Sequence, residues 1–280
     1  MMASTLSVSQ QGYFRWVKKV KEPYKHEALL AQIKKIRGEF KENENYGVNR
    51  IFLKLKQDYD YQGSERTVYR VCKDNNLIIK KKKRPNALTK ADRNAQKSEN
   101  IIKQDFTADA PGQKWLSDIT EVPCLDGKLY VAPVLDCFDG MIVGLAMDDN
   151  MKKELCIKSF ESACNRHRAK GMIFHSDRGS QYTSIDFRNT LSSYDAVQSM
   201  SSTGRCYDNA RMESFFATLK KEKLYKIKTE LLPMSQVKSI IFRYVEIYYN
   251  QHRVYTTNPG GYPPLQYRKR FLASEAKKVA

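Results

Sequence analysis

The chain has 280 residues, with 49 Lys+Arg against 31 Asp+Glu, a formal charge of +18 and 41% hydrophobic residues; its mean hydropathy is −0.63 and its pI near 9.5. This length and apolar content exclude wholesale disorder and suit one to three domains with real cores. No apolar run approaches the about 18 residues of a membrane span, and the Met1–Ser7 start has neither the charged opening nor the apolar stretch of a signal peptide, so membrane insertion and secretion are disfavoured and a cytoplasmic protein is expected. The surplus of cations points to a polyanion as partner, nucleic acid first.

The charge is unevenly placed. Residues 1–105 carry 24 basic and 12 acidic side chains, residues 106–215 carry 12 and 15, and residues 216–280 carry 13 and 4. An acidic middle between basic flanks suggests a core that holds carboxylates for a purpose and arms that hold phosphates. The six cysteines are widely separated, with no CxxC pair and no zinc-finger histidine spacing, and read as small buried hydrophobes or free thiols.

In chain order, Leu30, Ile33, Ile36 and Phe40 predict a helix over 27–42, and Ile51, Phe52 and Leu55 predict a shorter one from Asn49 to about Gln57. Ser64 is a good N-cap for a third, running to about Asn75. Three short helices at this spacing suit a helix-turn-helix. On the third, Val68, Val71 and Cys72 form an apolar side, while Arg66, Tyr69, Arg70 and Lys73 share another face. That face fits either a solvated helix surface or a recognition surface for a DNA groove. The run Lys80, Lys81, Lys82, Lys83, Arg84 favours DNA, because five adjacent cations repel one another and lie best in solvent or along a phosphate backbone.

Beyond residue 106 the texture becomes strands. Residues 115–123 alternate, Asp126-Gly127 and Asp139-Gly140 are hairpin signals, and 129–138 and 141–147 are apolar, which predicts a three-stranded meander. A helix from about Lys152 to Arg168 leads to a short buried strand at 171–177. Meander, helix, strand, helix is the order of the ribonuclease-H-like fold. The fold class expected is thus an α/β ribonuclease-H-like core, a mixed five-stranded sheet with flanking helices, preceded by an all-α helix-turn-helix domain.

Three carboxylates stand out. Asp118 interrupts the first strand, Asp177 ends the fourth, and Glu213 lies one turn into a helix that begins after the N-cap candidates Asp208 and Asn209, with Met212, Phe215, Phe216 and Leu219 as its packing side. The intervals are 58 and 35 intervening residues. Two-metal phosphoryl transfer needs such hard oxygen ligands around two divalent ions roughly 4 Å apart. Taken singly, each has a plainer account: a bond to a neighbouring strand, a turn before Gly179, a helix-surface residue.

Together, the segments 115–120, 174–182 and 208–216 resemble the catalytic motifs of DDE transposases and retroviral integrases, and are most similar to the OrfB transposase subunit of bacterial insertion sequences, whose second and third acidic residues have the same separation. Residues 249–255 and 263–267 look like that family's C-terminal segment, so the resemblance covers nearly the whole chain. It implies Asp118, Asp177 and Glu213 as catalytic, metal-binding residues for two Mg²⁺ or Mn²⁺ ions, and DNA 3′-end cleavage followed by strand transfer. It further implies double-stranded element ends and target DNA as substrates, a homo-oligomer on DNA, a nucleoid-associated location, and an upstream subunit or frameshift-fusion partner. Lys220, seven residues after Glu213, is similar to an integrase lysine that approaches the DNA end; a solvated lysine is the other account. His175 is read as structural, and Asn209 and Ser176 as outer partners of the ligands. Two rivals remain at this stage, an end-binding protein without activity and a nuclease for RNA–DNA hybrids.

Beyond the third carboxylate, Ser235 is the expected cap of a helix reaching about Asn250, with Val237, Ile241, Tyr244 and Tyr248 on one side. The expected organisation is an N-terminal segment (1–25), a helix-turn-helix domain (26–79), a basic linker (80–105), the catalytic core (106–225) and a basic helical C-terminal region (226–280).

Overall fold

The computed structural model describes residues 9–21, 24–79, 99–167, 170–201 and 206–279. The chain divides into two compact units, Met1–Lys81 and Lys82–Ala280.

The first unit is helical: α1 (Gln10–Lys21), α2 (Glu27–Glu39), α3 (Val48–Tyr59) and α4 (Glu65–Asp74). Leu29, Ile33 and Ile36 of α2, Ile51 and Leu55 of α3 and Val68, Val71 and Cys72 of α4 are buried. Leu29 therefore takes the inward place expected for Leu30. α2 stops three residues earlier than its periodicity suggests, because Phe40 is extended (φ −134°, ψ 142°) and a 3₁₀ turn follows. The buried Asn43 then donates to the Ile36 carbonyl, satisfying one of the helix's open acceptors. α3 ends at Asp60 in the left-handed region (φ 46°), which aspartate tolerates better than most residues. Ser64 caps α4 as expected, its side chain accepting from the Thr67 N–H.

The second unit is built on a mixed sheet: β1 (Lys114–Ser117), β2 (Thr120–Cys124), β3 (Gly127–Asp136), β4 (Ile142–Asp148), β5 (Ile173–Ser176) and β6 (Val197–Met200). β1 and β2 both run antiparallel to β3 in one unbroken register, with Ser117 opposite Val134 and Thr120 opposite Val131. They are one strand interrupted at Asp118-Ile119, which reconciles six segments with the expected five-stranded sheet. The spatial order is then β4, β3, β1/β2, β5, β6, with β5 and β6 parallel to their neighbours. Helices α5 (Lys153–His167), α6 (Ser180–Thr183), α7 (Ile185–Ser193), α8 (Ala210–Glu222), α9 (Met234–Arg243) and α10 (Pro264–Val279) complete the unit. Phe160 of α5 meets Trp115, Phe174 and Phe187 at ring distances of 5.2–6.2 Å, which centres the core under β1 and β5. α5 comes this close because Gly144 has no side chain: a Cβ there would sit 2.4 Å from the Ser159 carbonyl oxygen.

The C-terminal segment joins this core. α9 begins one residue before Ser235, after Pro233, and the carboxylate that receives its first N–H is that of Asp126, in the β2–β3 turn. The helix runs into a π turn at Tyr244–Tyr249 that buries Tyr244, Val245, Tyr248 and Tyr249. Asn250 bonds both the N–H and the C=O of Ile142 at 3.0 Å through its side-chain amide, acting as a partner to the edge of β4. Arg268 of α10 is buried between two fully buried carboxylates, 2.8 Å from Asp136 and 2.6 Å from Asp139. Asp136 also accepts from the Trp115 indole and the Gly112 N–H. Burial holds the Asp139 carboxyl above its usual pKa even beside the guanidinium.

Removing one member of such a group leaves uncompensated charge in the interior. Arg268→Ala is expected to destabilise the protein by about 3–5 kcal/mol, read as a lowered denaturant midpoint; a midpoint equal to wild type would contradict the buried-ion account.

Candidate active site

β1 and β5 are parallel neighbours, with Leu116 opposite His175. Two residues on, Asp118 and Asp177 leave the ends of the two strands side by side. The sheet topology thus fixes their closeness across 58 intervening residues. Asp118 is largely enclosed, and its pKa is pushed up to about 7 by desolvation and then by the Asp177 charge; Glu213 adds a further push, while the Ile119 N–H and Lys220 oppose. Asp177 reaches solvent, yet the surrounding protein raises its pKa by desolvation, opposed by the Gly179 N–H it accepts at 3.0 Å. The repulsion falls on Asp118, the more enclosed of the two.

Glu213 is exposed on the first turn of α8 and Lys220 is half-buried further along the same helix. All four groups therefore lie in one electrostatic neighbourhood. Among the described residues, no three acidic, histidine or cysteine side chains stand close enough to ligate one ion as they are. The chemistry of the group nonetheless fits a divalent cation: three carboxylates, one holding its proton to near neutral pH, carry negative charge that a metal ion would relieve.

The segments bearing these carboxylates are tied at Ser117. Its hydroxyl bonds the Tyr182 hydroxyl at 2.9 Å and the Pro133 carbonyl at 2.9 Å, and its own carbonyl accepts from the Asn209 side-chain amide at 3.2 Å. Ser117 precedes Asp118, Tyr182 lies five residues beyond Asp177, and Asn209 lies one turn before Glu213. Asn209 thus departs from its expected part as a cap: no side-chain cap bond forms there, since the amide is committed to β1. Its Oδ1 is buried without a hydrogen-bond partner among the described residues. Asp208 is buried too and accepts from Asn100 and Gln104. Ser176 bonds the Asp177 carbonyl, at 2.9 Å.

His175 is fully buried, with its ring nitrogens 2.8 and 3.2 Å from the Ser199 and Ser201 hydroxyls. Burial pushes the imidazole down to about 4, so it stays neutral and braces β5 against β6. Ser117 and Tyr182 have no assigned part in the sequence reading. Their signal was present in weak form: a serine inside a buried strand run, and a tyrosine at the end of the Asp177 segment.

In the first unit, α4 presents Arg66, Tyr69, Arg70 and Lys73 outward, all four exposed, with Tyr69 46% accessible despite its ring. Arg70 reaches the Thr67 hydroxyl weakly, at 3.5 Å. The cations Lys81, Lys82, Lys83 and Arg84 lie outside the described residues.

The integrase core domain family matches residues 108–206, a second integrase core family matches 213–272, and an HTH-like domain family matches 25–85. The 31 kDa protein of insertion element IS600 from Shigella sonnei is 34% identical, over 96% of this chain and 98% of that protein. Transposase InsF of insertion sequence IS3A from Escherichia coli K12 is 29% identical, over 97% and 94%. Among solved structures, the HTLV-2 integrase catalytic core domain in complex with magnesium is similar at 19% identity and a TM-score of 0.43, covering 57% of this chain and 97% of that one. With an HTH-like domain, an integrase core and full-length likeness to insertion-element proteins, the chain belongs to the OrfB-type transposases of bacterial insertion sequences.

Proposed function

We propose that this transposase cleaves the 3′ end of its element and transfers that end to a target strand, with Asp118, Asp177 and Glu213 as the residues that hold two Mg²⁺ or Mn²⁺ ions. The observation that carries the reading is the position of Asp118 and Asp177 on adjacent parallel strand ends, with Glu213 and Lys220 near enough to shift the Asp118 proton affinity. When bound, the ions supply an activated oxygen nucleophile and a counter-charge for the leaving oxygen. The buried Oδ1 of Asn209 suits an outer contact to the site, since it is a polar atom left without a partner among the described residues.

The protein's own part is positioning and charge. Ser117 and its two partners hold the three carboxylate segments in register, and Lys220 offers a cation to a phosphate at the DNA end. α4 presents arginine and tyrosine side chains to a groove, and the cations of the Lys80, Lys81, Lys82, Lys83, Arg84 run add positive charge for the phosphate backbone. Element ends must be brought together for transfer, so a homo-oligomer on DNA is part of this reading, with an upstream subunit or fusion partner as its completing element.

Asp118→Asn and Glu213→Gln are expected to abolish Mn²⁺-dependent nicking of duplex DNA while leaving DNA affinity within about twofold of wild type, because phosphate contacts carry that affinity. Nicking by both variants at the wild-type rate would refute the triad, and cleavage of an RNA–DNA hybrid in preference to the duplex would refute the substrate. Arg70→Ala should weaken binding to a duplex bearing the element's end and lower the salt slope of that binding by about 1, while sparing low-salt nicking of plasmid DNA. Equal loss of both would contradict separate recognition and cutting.

A further inference from the structure

α8 carries Glu213 and Lys220 on one side, and its other side is gripped by the chain's C-terminal segment. By the 3.6-residue repeat, Arg211, Phe215 and Glu222 fall in a stripe about 40° wide, and Glu213 and Lys220 lie on the opposite side. Each member of the stripe meets a residue from 244–255. Arg211 donates to the Tyr255 hydroxyl at 3.3 Å, and to the Phe106 and Cys137 carbonyls. The Phe215 ring meets Tyr249 edge to face at 5.0 Å. Glu222 takes two bonds from the Arg253 guanidinium, both 2.9 Å, and one from the Tyr244 hydroxyl, also 2.9 Å. Arg253 lies in turn over the Tyr249 ring, 5.3 Å from its centroid.

The grip is anchored on the core. Tyr255 lies against Gly140, where an added Cβ would fall 2.4 Å from the ring, and Gly140 is in the left-handed region (φ 75°). Asn250 is fastened to both polar groups of Ile142. α8 is therefore held against rotation and sliding by three contacts along its length, none of which touches the proposed metal ligands. Glu222 and Arg253 are each 4% exposed, so the pair's geometry is not blurred by solvent.

We infer that Arg253, with Tyr244 and Tyr255, is a positioning residue for the reaction: it acts through Glu222 and the back of α8 to set the angle at which Glu213 and Lys220 face Asp118 and Asp177. This rests on the triad reading above. It makes the segment 244–255 part of the cutting machinery.

A buried ion pair exchanged whole for apolar side chains of similar volume often keeps its stability, whereas its directional hydrogen bonds vanish. The full-length chain with Glu222→Met and Arg253→Met together is the principal variant. Tyr244→Phe with Tyr255→Phe is the second, removing two hydroxyls and little volume. Nicking of supercoiled plasmid is followed against Mn²⁺ concentration, Mn²⁺ binding to the protein alone is titrated by electron paramagnetic resonance, and thermal midpoint and plasmid affinity are recorded in parallel. The expected result for variants that melt as wild type is a loss of roughly 10–100-fold in nicking or Mn²⁺ affinity, with plasmid affinity unchanged. Arg166→Ala, which breaks the 2.6 Å ion pair between α5 and Glu246 of the same segment without touching α8, is expected to nick normally.

Wild-type nicking and Mn²⁺ binding in a folded variant would overturn the inference, and so would an equal loss in Arg166→Ala. Should the methionine pair fail to fold, the tyrosine pair decides by the same criteria. Glu213→Gln run beside them separates the two levels: if it nicks normally, the triad reading has failed; if it is inactive while the variants of the grip are normal, the positioning alone has failed.

Discussion

Ser117 is where the segments that carry Asp118, Asp177 and Glu213 are joined in the second unit. One side chain and one carbonyl bind a tyrosine from the β5 side and an asparagine from the start of α8, so that residues far apart in sequence share a node. The node works against a repulsive force. Burial first, and then the charges of Asp177 and Glu213, raise the proton affinity of enclosed Asp118. Carboxylates do not assemble spontaneously in this way; packing and hydrogen bonds have to hold them, and the stored repulsion is what would make the site attract a divalent ion.

The net charge of +18 looks different once placed in the fold. Part of the basic surplus of the last 65 residues is not available to DNA: Arg253 and Arg268 are spent inside the protein on Glu222, Asp136 and Asp139. These arginines fasten C-terminal helices to the sheet and to α8. The exposed cations of α4 are of another kind, projecting from a small, separately cored helical unit. Charge counts along a sequence cannot distinguish the two uses, because the difference lies in whether an acidic partner arrives from elsewhere in the chain.

Much of the fold was legible locally. Alternation and hairpin glycines located the meander, Ser64 marked the start of α4, and the apolar side of α8 was read correctly from Met212, Phe215, Phe216 and Leu219. The spacing of Asp118, Asp177 and Glu213 carried the family resemblance. What escaped were long-range polar contacts. Asn209 has the composition of a cap and is used across 92 residues instead; Asp126 caps a helix 108 residues away, displacing Ser235 from that part. Such pairings have no periodic signature, since the partner's position is set by topology and not by the local sequence. The break of one strand into β1 and β2 is the converse case: Asp118 was legible as an interruption, and the ladder opens there.

The central claim is that the carboxylates on β1, β5 and α8 converge on metal. Anomalous diffraction from crystals of the full chain grown with Mn²⁺ tests it most directly. A manganese peak bounded by Asp118 and Asp177, with Glu213 drawn in from its exposed position, is the predicted result. Ordered manganese bound elsewhere in the chain, with Asp118 and Asp177 free of it at saturating concentration, would contradict the account.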